Sequence, residues 1–204
     1  MALGTCPVVL AGDLAKNCIN PVVGGIEKDG FLVNYGDIDI EATKASKVAG
    51  SKNLYADLVL NVGTKGYLCD NLSNLVATKV DGLYTSKMQK VLTGALLDDG
   101  DVPASIIDAL SSNEGRFVAV VRHIFKDLGR TLSPGSSAFE IIGLDVPLTS
   151  KGQAIVNDAN SADTDGGWAF ALGTSEPKAR AYWYSTSYTA TKALYDALGT
   201  AVIS

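Results

Sequence analysis

Three strand-like segments and one helix follow one another in the last third of the chain, residues 138–198, and this order constrains the fold most. Trp168, Phe170 and Leu172 alternate with small residues, which is typical of a strand with one buried face. An aromatic extended segment follows at residues 180–184. The order predicts a β-rich fold with a helix packed on it.

The helix is predicted at residues 187–198. These residues have the apolar spacing of an amphipathic helix, and Gly199 stands where a C-terminal cap belongs. The predicted buried face consists of small and aliphatic residues: Ala190, Ala193, Leu194, Ala197 and Leu198.

Short extended runs alternate with glycine-containing turns in the rest of the chain. Strands are predicted at residues 30–35, 55–62, 66–69, 116–125 and 138–144. Residues 83–97 predict a strand followed by a short helix. Residues 105–110 predict a helix capped by Ser105.

These elements predict a mainly β fold, a β-sandwich or barrel with a few short helices including the C-terminal one, which is α+β by count. The pattern lacks regular βαβ alternation, which argues against a doubly wound parallel sheet. The chain is expected to form a single β-rich domain, residues 1–204, with a weak break near residues 96–103.

Composition narrows the range of partners. Hydrophobic residues make up 47% of the chain and charged residues 19%, which suffices for a core without disulfides or metals. The net charge of -5 disfavours a protein that binds nucleic acid tightly.

Cys6, Cys18 and Cys69 are widely spaced, which disfavours a disulfide framework and fits a reducing compartment. Neither a signal peptide nor a membrane partner is expected, since the sequence has no leader pattern and no apolar run of about 20 residues.

Catalytic chemistry is not indicated by the sequence. His123 is the single histidine, so any triad that uses histidine would need it, and it lies inside a strand-like apolar run. A packing or hydrogen-bonding role is therefore predicted for His123. Neither a nucleophile elbow nor a phosphate-binding glycine motif is present. We expect no catalytic residues, no cofactor and no enzymatic activity.

Two acidic segments are the remaining candidates for ligand binding. Asp163 and Asp165 lie in the loop 157–167, whose spacing fits the start of a calcium loop, but Leu172 stands where the bidentate glutamate belongs. A plain turn is favoured there, with calcium as the weaker alternative.

Asp37, Asp39 and Glu41 form the second acidic segment. They alternate with isoleucines, which predicts three carboxylates on one face of a strand. An acidic face toward solvent or toward a lumen is favoured over a glycosidase-like carboxylate set.

An aromatic cluster, Tyr182, Trp183 and Tyr184, is the other surface candidate. Such residues dominate the centres of protein interfaces, so the cluster is predicted to anchor a contact between subunits. Sugar binding by the same residues together with Tyr188 is the alternative.

Two blocks, residues 17–70 and 115–198, carry a resemblance when taken in order. The first contains NCINPVVGGIEKDGFLVNYGDIDIEAT and LYADLVLNVGTKGYLCD. The second contains GRFVAVVRHIF, SSAFEIIGLDVPL, NDANSADTDGGWAFAL and TSYTATKALYDAL. Together they resemble virion structural proteins of tailed phages, in particular the tail tube (major tail) proteins of phages of Bacteroides-like hosts.

The resemblance implies a non-enzymatic protein that is made in the host cytoplasm and ends in the virion. It implies self-assembly into stacked rings, hexameric in that family, contacts with other virion proteins, and a lumen through which DNA passes without specific binding. The sequence shows no clear segment for the long β-hairpin arm of that family. The alternatives are a head decoration or neck protein and a glycan-binding module.

Overall fold

The computed structural model describes residues 25–51, 53–81, 86–97, 100–124, 137–157 and 166–202. Within these ranges the chain forms ten strands. In chain order the strands are β1 (Ile26–Asn34), β2 (Leu54–Tyr55), β3 (Tyr67–Cys69), β4 (Leu72–Asp81), β5 (Ser86–Leu96), β6 (Phe117–His123), β7 (Phe139–Ile142), β8 (Ile155–Asn157), β9 (Trp168–Glu176) and β10 (Ala181–Trp183). The described α-helices are α1 (Ile40–Ala45), α2 (Asp101–Ser111) and α3 (Tyr188–Ala197).

The strands form two sheets. The larger has the order β2-β10-β7-β6-β1-β3, and the smaller has the order β4-β5-β9-β8. Apart from the parallel pair β2 and β10, neighbouring strands are antiparallel. The predicted fold class, mainly β with short helices and a helix near the C-terminus, is confirmed.

The larger sheet is buried on both faces, which explains why β6 and β7 are almost continuously apolar. One face packs against α3 and the segment 38–60, and it includes Val120, Ile141 and Trp183. The opposite face packs against the smaller sheet and α2 through alternate residues such as Ala119 and Ile142. The larger sheet therefore lies between two apolar layers.

Several predicted strands are confirmed with shifted ends. The segments at 30–35, 66–69, 116–125, 138–144 and 180–184 correspond to β1, β3, β6, β7 and β10. The strand with one buried face is β9, in which Phe170, Leu172, Thr174 and Glu176 point inward.

The strand predicted at residues 55–62 is wrong beyond Tyr55. Side chains of α1 and its C-terminal cap satisfy the backbone there in place of a neighbouring strand. Thr43 Oγ1 accepts from the N–H of Val59 at 2.9 Å, and Ser46 Oγ accepts from the N–H of Asp57 at 3.1 Å. Because Leu58 is buried, this segment covers the larger sheet without joining it.

Two helix predictions also need correction. The short helix predicted within residues 83–97 is wrong, because β5 continues to Leu96 and is paired on both sides by β4 and β9. Ser105 is not a helix cap. It lies inside α2, which begins after Gly100, and its hydroxyl donates to the carbonyl of Val102 at 2.8 Å.

The C-terminal helix is confirmed, but of its predicted buried face Leu198 alone is in the core, at 5% exposed. Thr191 and Tyr195 are buried, whereas Leu194 is 41% exposed and Ala193 and Ala197 are exposed. Tyr195 turns inward because its ring contacts aromatic rings of β1 and β7, with centroid distances of 5.1 and 5.0 Å. Ser187 is the N-terminal cap and accepts from the N–H of Ala190.

The C-terminus of α3 also differs from the prediction. Leu198 closes the helix by donating its N–H to the carbonyl of Tyr195. Gly199 does not adopt a positive φ, so it is not the left-handed cap that its position predicted.

A long β-hairpin, formed by β4 and β5, is present although no sequence pattern clearly predicts it. Leu72 is buried, but residues 76–81 of β4 are exposed on both faces. Val76, Thr78 and Val80 alternate with Ala77, Lys79 and Asp81, but neither set is buried, so this alternation does not mark a core-facing strand. We call residues 76–81 together with residues 86–89 of β5 the hairpin arm; the residues between them lie outside the described ranges.

Candidate functional site

Four ionisable side chains meet in the space between the two sheets. Lys90, Glu140, Glu176 and His123 are each less than 5% exposed. We call them the inter-sheet ionic cluster. Burial of so many charged groups is rare unless they are paired, so the cluster is the strongest chemical feature of the described chain.

Strand alternation places these side chains. Lys90 and Leu92 point to the same side of β5, and Leu92 lies in the core between the sheets. Glu140 shares its side of β7 with Ile142, another residue of that core. Glu176 is the last residue of β9 and His123 is the last residue of β6. The cluster therefore closes one end of the apolar core.

Lys90 bridges the two glutamates. Its Nζ is 2.7 Å from Glu176 Oε2 and 3.4 Å from Glu140 Oε1. The other oxygen of Glu140, Oε2, is 2.8 Å from His123 Nε2 and 3.7 Å from Arg180 Nε. Charges from both sheets are thus paired across the interface, as buried charges must be.

The second oxygen of Glu176 contacts backbone donors. Oε1 accepts from the N–H of Gly143 at 3.0 Å and from the N–H of Asp145 at 3.4 Å. Gly143 has a φ of +93°, and a Cβ there would lie 2.8 Å from the carbonyl oxygen of Phe117. Only glycine fits this turn without strain, and the turn aims two donors at one carboxylate oxygen.

Asp145 lies beside the cluster and joins two lysines. Its carboxylate oxygens are 3.0 Å from Lys44 Nζ and 3.0 Å from Lys178 Nζ. Burial alone would raise the pKa of the Asp145 carboxyl, but hydrogen bonds and the positive charges of these lysines outweigh it and lower the pKa below its ordinary value of 3.8. With a lowered folded-state pKa, the stabilisation is present above the unfolded-state pKa and is lost as the pH falls through the folded-state pKa.

We expect Asp145→Asn to lower the free energy of unfolding by about 1 kcal/mol at neutral pH, since both ion pairs are partly exposed. The difference from wild type should shrink below about pH 4, where Asp145 begins to be protonated in the unfolded chain. Urea unfolding at a series of pH values measures this difference. Asp57→Asn, at an exposed position, is the control. A difference that stays constant into the acid range would contradict the assignment.

The acidic segment is not a strand, which corrects the prediction. Asp37 ends a 3-10 turn at Tyr35–Asp37, Asp39 caps α1 by accepting from the N–H of Ala42 at 2.8 Å, and Glu41 lies in the first turn of α1. An aspartate cap starts a helix here because it satisfies a free helix N–H. Asp39 and Glu41 are exposed, and Asp37 accepts from Asn34 Nδ2 at 2.8 Å.

The aromatic cluster is divided between two sides of β10. Trp183 is 1% exposed and belongs to the core, so it cannot anchor a subunit contact as predicted. Tyr182 and Tyr184 point to the opposite side and are half-buried. The reason is again strand alternation, which places neighbouring residues on opposite faces. Trp183 therefore cannot contribute its ring to the alternative sugar site, whereas Tyr182 and Tyr184 lie together on the other side.

The remaining residues that the sequence singled out are His123, the three cysteines and the two aspartates of the loop 157–167. His123 is buried and hydrogen-bonded, as predicted from its apolar run. Burial, helped by the nearby charge of Asp70, raises the pKa of the Cys69 thiol to about 11, so this thiol is a poor nucleophile. Asp163 and Asp165, the weak calcium candidates, lie outside the described residues, as do Cys6 and Cys18.

No sequence pattern predicted Lys90, Glu140 and Glu176 as site residues. One signal was present for Glu140, which stands alone among apolar residues in FEII. A charged residue at the inward position of a buried strand indicates a partner in the interior. Its partners Lys90, Arg180 and His123 lie 50, 40 and 17 residues away along the chain, so the sequence pattern could not identify them.

None of the helices in the described ranges is long and apolar enough to cross a membrane. The chain matches no protein-family model, and no curated protein and no solved structure is significantly similar to it.

Proposed function

We propose that the protein is a non-enzymatic structural protein that assembles with itself into stacked rings of a phage tail tube. The hairpin arm is the observation that carries this proposal. It is a long, exposed pair of strands whose residues contribute little to the core of their own subunit.

The edge of the arm is suited to pairing with another chain. In the described part of the chain, β4 is an outer strand of the smaller sheet and pairs with β5 alone. An exposed edge presents unpaired backbone N–H and C=O groups, which natural proteins usually block with proline, charge or a short strand. β4 has ten residues and no proline. Lys79 and Asp81 carry charge, but they form an ion pair with each other at 2.9 Å.

The outer face of the smaller sheet is almost uncharged. Strand register places small and neutral residues on this face: Val76, Thr78, Val80, Gln89, Val91, Thr93, Ala171, Gly173 and Val156. Lys87 is its one charged side chain among the described residues. Val76, Val80 and Val156 are 48%, 45% and 50% exposed. A neutral sheet face of this kind favours contact with protein over contact with solvent.

The charge of the chain supports the second part of the proposal, the passage of DNA. A net charge of -5 and the exposed carboxylates of Asp39 and Glu41 would repel phosphates in a lumen. We place this acidic surface toward the lumen, six copies in each ring, and the assembly in the virion. Tubes of stacked rings would distinguish this role from that of a head decoration or neck protein, which would form isolated rings or bind other virion proteins.

We expect the double variant Val76→Glu, Val80→Glu to remain folded and to lose assembly. Both residues are exposed on the hairpin arm, so the fold is spared, whereas charge on an intersubunit sheet contact is strongly unfavourable. Sedimentation velocity and negative-stain microscopy at high protein concentration measure the assembly.

The control is the double variant Val62→Glu, Val102→Glu, which adds the same charge at positions that are 67% and 68% exposed elsewhere. It should assemble like wild type. A wild-type chain that stays monomeric at high concentration and in the presence of a nucleating tail complex would argue against the tube. Assembly of the hairpin-arm variant at the wild-type level would exclude the arm as the contact.

A further inference from the structure

We propose that the inter-sheet ionic cluster is a self-modification site, at which Lys90 and Glu176 condense into an intramolecular amide bond that joins β5 to β9 permanently. The proposal concerns the chemistry inside one subunit and does not depend on the tube. It rests on the surroundings of one buried carboxylate, that of Glu176. A nucleophile, two backbone donors and a proton acceptor lie around it.

The nucleophile and the acyl group are already in contact. Lys90 Nζ lies 2.7 Å from Glu176 Oε2, and the two side chains are 0% and 3% exposed. Antiparallel pairing of β5 with β9, in which Lys90 faces Thr174 and Met88 faces Glu176, holds them there. Two groups held this closely react as if at very high concentration, because the entropy of bringing them together has been lost on folding.

Backbone donors are placed where negative charge would develop. Attack by Nζ on the carboxyl carbon of Glu176 gives a tetrahedral intermediate with charge on Oε1. Oε1 is the oxygen that accepts from the N–H groups of Gly143 at 3.0 Å and Asp145 at 3.4 Å. Fixed backbone donors of this kind stabilise an oxyanion because they need no reorganisation during the reaction.

Glu140 is the proton carrier. Its Oε1 lies 3.4 Å from Lys90 Nζ, while its Oε2 is held by His123 at 2.8 Å. A second carboxylate next to the amine can accept a proton from the nucleophile and return it to the leaving oxygen. His123 is a positioning residue, since it contacts Glu140 and not the reacting atoms.

The reaction balances without a co-reactant. The ammonium of Lys90 supplies three protons, and the carboxylate of Glu176 supplies two oxygens. The Nζ–Cδ bond forms and the Cδ–Oε2 bond breaks. Oε2 leaves as water with two protons from Nζ, one of them carried by Glu140, and the third stays on the amide nitrogen. Nothing is oxidised or reduced.

Burial favours the product. Two charges held away from water are costly even when paired, and condensation replaces them with a neutral amide. The site lies in the closed core between the sheets. Once the released water has left, little water can enter again to hydrolyse the amide.

Intact-mass measurement of the purified full-length wild-type protein tests the proposal. We expect the mass to be lower than the sequence mass by one water. After digestion with trypsin, residues 88–116 and residues 152–178 should be found as one branched peptide, because a linked Lys90 is not cleaved. Lys90→Arg, which keeps the positive charge, should have the full sequence mass and no branched peptide. Glu140→Gln should remove most of the linked form, with folding checked by circular dichroism.

Three results would overturn the proposal. A wild-type protein of full sequence mass after prolonged incubation would exclude the bond. A branched peptide joining Lys90 to residues 131–151 would identify Glu140 as the acyl group and refute the assignment of Glu176. Undiminished linkage in Glu140→Gln would refute the proton carrier. Lys192 and Asp196 are the internal control, since their atoms are only 2.6 Å apart but exposed, and they should stay unlinked.

Discussion

Lys90→Met should be among the most destabilising single substitutions in this protein, lowering the free energy of unfolding by about 3–5 kcal/mol. The variant keeps the volume of the side chain but removes the nitrogen that lies between Glu140 and Glu176 and contacts both, whether as an ammonium or in the proposed amide. Two carboxylates are then left buried without their shared partner. Leaving a buried charge uncompensated costs far more than the intact pair contributes. Urea unfolding followed by tryptophan fluorescence measures the change.

Two further variants make this result specific. Lys87→Met, on the same strand but exposed, should change the free energy of unfolding by less than about 0.5 kcal/mol. The triple variant Lys90→Met, Glu140→Gln, Glu176→Gln should recover part of the loss, because the uncompensated charges are gone. Equal stability of Lys90→Met and wild type would mean that the cluster does not join the sheets.

Trp183→Ala is the second substitution with a large expected effect, a loss of about 3–5 kcal/mol in the free energy of unfolding. Trp183 is 1% exposed and is among the largest fully buried side chains in the described structure. Its removal leaves a cavity on the face of the larger sheet that packs against α3. Thermal unfolding monitored by circular dichroism measures the loss.

Tyr184→Ala, at the next position along the chain, is the matched control. Tyr184 is half-buried on the opposite side and should lose less than half as much stability. Equal losses for the two variants would contradict the placement of Trp183 in the core. A small loss for Trp183→Ala together with impaired self-assembly would instead restore the predicted role of this residue as an interface anchor.

Local sequence patterns predicted those strands and helices whose type can be recognised from the order of their own residues. Alternation at residues 168–173 identified β9, the apolar run of β6 identified a buried strand, and the apolar spacing at residues 187–198 identified α3. The same patterns failed at β4, because residues 76–81 are exposed on both faces and no buried apolar face marks them as a strand. They also failed at Asp37, Asp39 and Glu41, because one aspartate cap turned an alternating run into a helix start.

The sequence by itself determined the mainly β class and the net negative charge, since these depend on composition and local pattern. It also determined on which side of a strand each residue lies, since side chains alternate every two residues. The tertiary structure alone decided which faces meet. Lys90 and Glu176 are neighbours because β5 pairs with β9, and Lys90 also reaches Glu140 because the two sheets pack against each other. The distance along the chain between two residues does not show whether their strands will meet. That is decided by which arrangement buries the apolar faces of both sheets. The inter-sheet ionic cluster therefore became visible only in the folded chain.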